Sequence, residues 1–588
     1  MSDQLLSYFE RELAYVRRAL DGFGTQHPEH ANELRINQTG QEDPNISRLI
    51  DAIALLTAKC EQRLDDQFPE ILQNLFNILY PSYLETIPSY APVSVELDEA
   101  GDDAIRIDRG TALSVENGGE CRFTLMDDLE LAPYKITNIN ATSAPFNFTT
   151  PTSLKRSDAV ISVELESFDP EVLFSHMTLQ HFDFYVRGFE NSARGLIDLL
   201  LLNTEVITVQ NEIQLFEITA SRLGSRIADP SFQWLETEGS QTLGFDLLRD
   251  YFAFPDKAAY MRIEALGREL GQLESSKVTL RFFVHQLPVE FLRLFSAQVF
   301  ALNTAPMLNL FSVRGEPMRY DFTRLSVPVI ADVSAGADSE VVAINSVSEV
   351  LPTGDITLAP VYEGGYWMDT SLPQWQPKYF WDQKGQRQTE ISVSYSELSA
   401  QKESVVLSMD LKVCNGRKPC LISTHTEVEC LAAVDIPGRL TVTKTPSAPQ
   451  YPSLDNQLGW RFLAMLNANF SGLVESSNPT QTLQEAMRLC TNSVVCHAAE
   501  AIKDVQYSHL VAPITINKQS MFTSGTQVTV VIDDTLLEGE FSAFCQVLNV
   551  YFQQYCSFDR FIQLSVERFG SDVAGIEFDK CHGSQLCL

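Results

Sequence analysis

Apolar side chains recur every three or four positions through the first ninety residues. Leu5, Phe9, Leu13, Val16 and Leu20 lay one stripe along a helix whose other face carries Glu10, Arg11, Arg17 and Arg18. Gly22 and Gly24 are expected to break it. A second helix is predicted from Asp43-Pro44, a capping acceptor followed by a proline at the first helical position, with Leu49, Ile53, Leu56, Cys60 and Leu64 as its stripe. A third is predicted from Phe68-Pro69, carrying Leu72, Leu75, Phe76 and Leu79 until Pro81 and Pro88 stop it. Stripes of near-heptad spacing need a bundle partner, either one another or helices of another chain. The aromatics Tyr8, Phe9, Tyr15, Phe68, Phe76, Tyr80 and Tyr83 add weight to the second arrangement, because such residues dominate interface energetics.

Near Val93 the period changes to two. Val93 to Leu97, Ala104 to Ile107, Ile161 to Leu165, Phe182 to Val186 and Val278 to Phe282 alternate apolar with polar residues. Turn signals such as Gly101-Asp102 and Asn117-Gly118-Gly119 between them fit an antiparallel sandwich better than βαβ units. A helix is predicted over Gln286 to Leu302, with Phe291, Leu292, Phe295 and Val299 as its stripe. Alternation resumes at Glu390 to Tyr395, Ser404 to Val413 and Leu431 to Val442, and Pro446, Pro449 and Pro452 then mark a linker. Helices follow over Ser453 to Phe470, from Asn478-Pro479, and over Leu537 to Tyr555 with Phe541, Phe544, Leu548, Tyr551, Phe552 and Tyr555 as its stripe, and then a strand from Arg560 to Val566. The fold class is multidomain α+β: a helical bundle-forming region over 1–90, a β-rich, sandwich-like domain over 91–285, a second β-rich domain over 286–445 and an α+β domain over 446–588.

Length and composition narrow the function. A chain of 588 residues is long enough for about three to five domains. Its 43 basic against 77 acidic residues give a net charge of −34, which repels phosphate backbones and anionic headgroups, so nucleic acid is not a general partner. The richest apolar run, Leu196 to Leu202, is short and interrupted by Asp198, so no direct membrane insertion is expected. Met1-Ser2-Asp3-Gln4 lacks the basic region of an export signal, and eleven cysteines, an odd number thinly spread, read as reduced thiols of a cytoplasmic protein. Between Arg324 and Lys378 there is no basic residue and there are seven acids, Asp332, Asp338, Glu340, Glu349, Asp355, Glu363 and Asp369, which suit a solvated loop face or the docking of a basic partner.

Catalytic signatures are missing. Gly-Lys, Gly-x-Ser-x-Gly, His-Glu-x-x-His and Cys-x-x-Cys do not occur. Cys414, Cys420 and Cys430, then Cys490, Cys496 and His497, have spacings unsuited to zinc and read as structural thiols. Ser399 and Lys402 have an acylating-enzyme spacing without its companion motifs, and Asp65 and Asp66 point about 100° apart on a helix. No catalytic residue, metal or cofactor is expected.

Particular segments say more than these absences. Leu5 to Tyr15 with His27-Pro28, then Glu42-Asp43-Pro44, Leu64-Asp65-Asp66-Gln67-Phe68-Pro69-Glu70 and Leu79-Tyr80-Pro81-Ser82-Tyr83-Leu84 resemble the opening of TssF, the type VI secretion baseplate subunit also called VasA or ImpG. Asp250-Tyr251-Phe252-Ala253-Phe254-Pro255-Asp256-Lys257, Asn309-Leu310-Phe311, Trp460-Arg461-Phe462-Leu463 and Leu537 to Phe558 are similar to later landmarks of that family in the same order. Cys414-Asn415-Gly416-Arg417 departs from the family's Cys-Asn-Arg-Asp at Gly416. The resemblance implies a noncatalytic cytoplasmic component, similar to wedge proteins of contractile phage baseplates and recruited to an inner-membrane-anchored complex. In that family two TssF chains join one TssG through a helical bundle. TssK and TssE attach to the wedge, and neighbouring wedges ring a spike hub as the platform for tube and sheath. Partner binding is accordingly expected at Tyr8, Phe9, Leu13, Phe68, Leu72, Phe76, Tyr80, Phe252, Phe254, Phe544 and Tyr551, an assignment made on their apolar stripes. The alternatives are a hydrolase associated with a secretion system and a β-sandwich ligand-binding module.

Overall fold

The computed structural model describes residues 2–26, 44–97, 105–116, 119–177, 180–189, 193–235, 243–331, 339–352, 354–361, 373–381, 387–395, 403–432, 436–452, 456–466, 478–491, 496–516, 519–556, 560–570 and 575–582. The chain divides into two compact units, Met1–Pro81 with Leu454–Leu463, and Ser82–Ser453 with Ala464–Leu588.

The first unit is helical. Its opening helix runs Ser2–Gln26 and passes through both glycines that were expected to break it. Glycine costs a helix only about 1 kcal/mol relative to alanine, and the first proline after them, Pro28, lies beyond the helix end at Gln26. One 36-residue helix, Pro44–Leu79, replaces the two that were predicted, with Pro69 in its interior. That proline cannot bond the Asp65 carbonyl and costs about 3 kcal/mol. The helix continues because the same face is buried on both sides of it: Ala54 and Ala58 before, Leu72 and Phe76 after. The predicted helix over Ser453 to Phe470 is observed as Asn456–Leu466. Its residues up to Leu463 fold with the N-terminal helices rather than with the C-terminal part.

At the centre of the second unit is a closed antiparallel barrel of six strands in the order Tyr90–Leu97, Thr304–Leu308, Glu120–Leu125, Ala112–Glu116, Glu427–Cys430 and Gly438–Val442. Val93, Val95, Leu113, Val115, Phe123, Met307 and Val442 fill it. The barrel takes strands from both sides of residue 285, so the boundary expected there is corrected: two insertions into the barrel, rather than consecutive domains, make the middle of the chain. The first carries a five-stranded and a four-stranded antiparallel sheet, which meet where Phe282 contacts Phe184 at 6.2 Å and Phe300 at 6.5 Å. This is the sandwich the alternation predicted. The helix predicted over Gln286 to Leu302 is absent: a single turn, Phe291–Arg293, is followed by the strand Phe300–Ala301. Hydrogen bonds from the Arg187 and Gly188 amides to the Val299 carbonyl tie that segment to the sheet, and Phe291 and Phe295 pack on Phe189 instead of forming a stripe.

The second insertion is an eight-stranded sheet whose ends approach through the bridge Gly315–Ala331. Asn309 and Asn415 clamp its exit and return. The Asn415 amide donates to Asn309 Oδ1 at 2.7 Å, and Asn309 Nδ2 donates to Asn415 Oδ1 at 2.8 Å. Gly416 has φ +54, and a Cβ there would stand 2.6 Å from Glu340 Oε1, so the glycine suits both the left-handed backbone and the close carboxylate. Beyond the barrel, Asn478 caps the helix Pro479–Cys490 as its sequence predicts. A long hairpin, Ile502–Ile516 with Gln519–Ile532, then pairs in parallel with Phe561–Arg568 after the helix Phe541–Tyr555.

Candidate partner-binding surface

The helix Pro44–Leu79 has two apolar sides. Ala54, Ala58, Leu72 and Phe76 are buried in the helical unit. The small side chains at 54 and 58 permit close approach to the first helix, on which Tyr8, Phe9, Leu13 and Val16 are half-buried. Farther along, Phe76 meets the Phe462 ring at 5.9 Å and Tyr80 meets it at 5.7 Å. Gly459 makes that packing possible, because any Cβ there would collide with Leu72 Cδ2.

The other side is open. Leu49 and Leu56 are 62% and 64% exposed, and Ile53, Ile71 and Ile78 are also exposed. At about 100° per residue these five share a face roughly 145° from the buried one, and from Leu49 to Ile78 the face is about 43 Å long. Burying a Leu or Ile side chain is worth roughly 1.5–3 kcal/mol, so the open face leaves on the order of 5 kcal/mol unrealised. Tyr15, 70% exposed, and Trp460 are further large apolar side chains that this unit leaves in water. A helix apolar on opposite sides is stable only when both are covered.

The residues expected to bind partners are divided between the two units. Tyr8, Phe9, Leu13, Leu72, Phe76 and Tyr80 are in the helical unit, but Leu72, Phe76 and Tyr80 are buried there and are corrected from contact residues to core. Phe68 lies on the long helix, with its side chain outside the described residues. Phe252 is half-buried, whereas Phe254, Phe544 and Tyr551 are wholly buried inside the second unit and cannot face another chain. Phe254 packs against Trp234 at 4.9 Å and Tyr90 at 5.1 Å. Phe544 packs against Tyr251 at 5.8 Å, and Tyr551 against Phe245 at 6.2 Å. The open residues Leu49, Ile53 and Leu56 were visible as a stripe with spacings of four and three, but lack of aromatics kept them from being singled out.

The landmark around residues 250–257 has an internal role. Lys257, with no exposure, pairs with buried Asp250 and stands 5.6 Å from the Phe232 ring. Asp256 accepts from Tyr90 Oη at 3.1 Å and from Lys444 Nζ at 2.7 Å. Arg249 donates to the Ser82 and Glu85 carbonyls, and Tyr251 Oη donates to Glu540 at 3.1 Å. The segment thus ties the start of the barrel to its end and to the C-terminal helix.

Other candidates give less. Among the described residues no three of His, Cys, Asp and Glu form a group that could hold a metal ion, and burial pushes the Cys414 thiol up to about 12. Ser399 and Lys402, and the acids Asp332, Asp338, Glu363 and Asp369, lie outside the described residues. Glu340 and Glu349 turn inward and accept from Tyr451 and Tyr395. Among the described residues no helix is long and apolar enough to cross a membrane.

A helical unit with an uncovered apolar side and a second unit built on a barrel with large β insertions suit an assembly subunit. The chain belongs to the TssF family of the type VI secretion system, whose model matches residues 1–585. It is similar to the type VI secretion system component TssF1 of Pseudomonas aeruginosa, with 22% identity over 574 residues and 92% of each chain covered. Its fold is similar to a chain in the type VI secretion TssK-TssF-TssG baseplate subcomplex, with a TM-score of 0.70, 19% identity, and 92% of this chain and 99% of that one covered. A chain of the type VI secretion baseplate complex matches with a TM-score of 0.56, 18% identity, and coverage of 99% and 100%.

Proposed function

We propose that this chain is a structural, noncatalytic subunit of a type VI secretion baseplate wedge, in which the open side of the helix Pro44–Leu79 packs against helices of TssG and of a second copy of the chain. The observation that carries this reading is the stripe Leu49, Ile53, Leu56, Ile71 and Ile78, left exposed on a helix whose opposite side is buried. Family membership and the likeness to a chain of a TssK-TssF-TssG subcomplex support TssG and TssK as partners. Contacts with TssE, neighbouring wedges and the spike hub, and cytoplasmic recruitment to an inner-membrane-anchored complex, complete the proposed role.

The test is coexpression of the full chain with tagged TssG of the same system. Replacing Leu49 and Leu56 by aspartate should weaken TssG capture by at least ~30-fold, the loss of one interface hot spot, without lowering the thermal midpoint of the chain. Undiminished capture would remove the stripe from the interface.

A further inference from the structure

We infer that the outer edge of the strand Ile502–Ile516 is a docking edge for the same strand of a second copy, paired antiparallel about a two-fold axis so that one sheet runs through both chains. The inference goes beyond the assembly reading above and makes no use of the helical stripe.

The strand ends its sheet: it pairs with Gln519–Ile532 on one side and, among the described residues, with no strand on the other. One bond fixes which residues turn their backbone to that outer side. The Val505 amide donates to Thr480 Oγ1 at 3.0 Å instead of to the neighbouring strand, and the register has no shift beyond Asp504. Because backbone groups alternate between the two sides of an antiparallel strand, those of 505, 507, 509, 511 and 513 face outward. Pro513 agrees, since a strand tolerates proline where the missing N–H faces no neighbouring strand. The usable edge is therefore short and bounded. At 505 the amide is already bonded to the helix Pro479–Cys490, and at 513 there is no N–H to offer.

Those bounds identify the occupant. Laid antiparallel on itself and centred on position 509, the strand sets Tyr507 opposite Val511 of the second copy and Val511 opposite its Tyr507, at positions that exchange N–H and C=O groups. The same register sets Pro513 opposite Val505, so the residue without a donor meets the residue whose donor is taken. The edge is thus complementary to itself, as a two-fold contact requires. Tyr507 and Val511 are 40% and 74% exposed on one face, and Phe522, 77% exposed, continues that face opposite Pro513. An aromatic ring directly across from a β-branched side chain is a favourable cross-strand pair.

Charge permits the contact. Edge strands are commonly guarded by charged side chains, but from Val505 to Ile532 there is no acid and one base, Lys518. The acids that flank this run lie at the base of the hairpin, where Asp504 accepts from Thr480 and Asp533 pairs with Lys503. Two chains of net charge −34 therefore meet along strands that carry no carboxylate between those bases.

The experiment coexpresses two differently tagged full-length versions with TssG, one carrying Tyr507→Cys and the other Val511→Cys, both at exposed positions where the fold is not at risk. Mild oxidation of the purified complex should join the two tags by a disulfide at least tenfold more than in complexes made from either version alone, because like positions stand ~13 Å apart in this register, beyond disulfide reach. The parent chain, oxidised in parallel, gives the background from native thiols such as exposed Cys420. Adding Ser508→Asp to both versions places like charges on the edge and should lower the disulfide at least fivefold. No disulfide above the parent, equal disulfide from either version alone, or thiols joined only to TssG would each overturn the inference. Loss of TssG from the Leu49 and Leu56 variant bears on the helical stripe and leaves this edge to be judged separately.

Discussion

Two helices of this chain, Pro44–Leu79 and Phe541–Tyr555, carry apolar residues on more than one side, and the chain treats them in opposite ways. In the C-terminal helix Phe541, Phe544, Cys545, Val547, Leu548, Tyr551 and Phe552 are all buried. The helix Leu243–Ala253 covers it through Phe245 and Tyr251, and Asp198 accepts from the Phe541 and Ser542 amides at its start. The N-terminal helix has its Ala54 and Phe76 side covered and its Leu49 and Ile53 side open. Aromatic content points to the wrong helix, since the more aromatic one is closed. What distinguishes an interface is apolar surface for which the chain itself supplies no cover.

One substitution placed in both helices would break or confirm that contrast. Phe544→Asp puts an unpaired charge into a closed core and is expected to cost about 4–5 kcal/mol or more, leaving little folded protein. Leu56→Asp places the same group on the open side and should leave the urea midpoint of the full chain within about 0.5 kcal/mol of the parent. Equal destabilisation by the two would mean that the open stripe is covered within the chain.

Lys257→Met probes the closed region by a different force. Removing the ammonium leaves Asp250 buried without its partner, which typically costs about 3–5 kcal/mol, whereas changing Asp250 and Lys257 together to leucine and methionine should recover most of that loss. Denaturant unfolding of the three proteins measures the difference. If the single change is harmless, the pair is not what holds the barrel's two ends to the C-terminal helix.

This motif also marks how far the sequence could be read. Its order along the chain, with the other landmarks, was enough to point to the family, and period-two alternation found the strands Tyr90–Leu97, Phe182–Val186 and Lys277–Val284. The barrel was not legible, because its strands are separated by two whole insertions and neighbours such as Val93 and Val442 share no local pattern. For the same reason Phe254 and Tyr551 looked like interface residues: local periodicity gives a side chain its apolar face but does not say which distant segment covers it. The open stripe was half legible. Its spacing was plain, but its exposure depends on Ala54 and Ala58 taking the inward side, a choice that tertiary packing makes.

The smallest expected effect tests how tightly the closed helix is held at its start. Glu540 accepts from Tyr251 and pairs with Arg194 at 2.7 Å, yet burial raises its carboxyl above the ordinary value, outweighing the pull of Arg194. Burial raises Asp198 as well, against the bonds it accepts from Ser542 and Phe541. A raised carboxyl binds its proton more tightly in the folded state than in the unfolded one. Its stabilising contribution is therefore complete below the ordinary carboxylate value of 4.5 and is lost as pH rises through the raised folded value. Glu540→Gln keeps an acceptor for Tyr251 but does not titrate. Urea midpoints taken upward from pH 4 should show the parent losing stability relative to this variant, with the gap levelling off once Glu540 is fully ionised. A parent that instead gains on the variant as pH rises would mean that Arg194 outweighs burial, and that the start of this helix is held by an ion pair accessible to water rather than by a closed core.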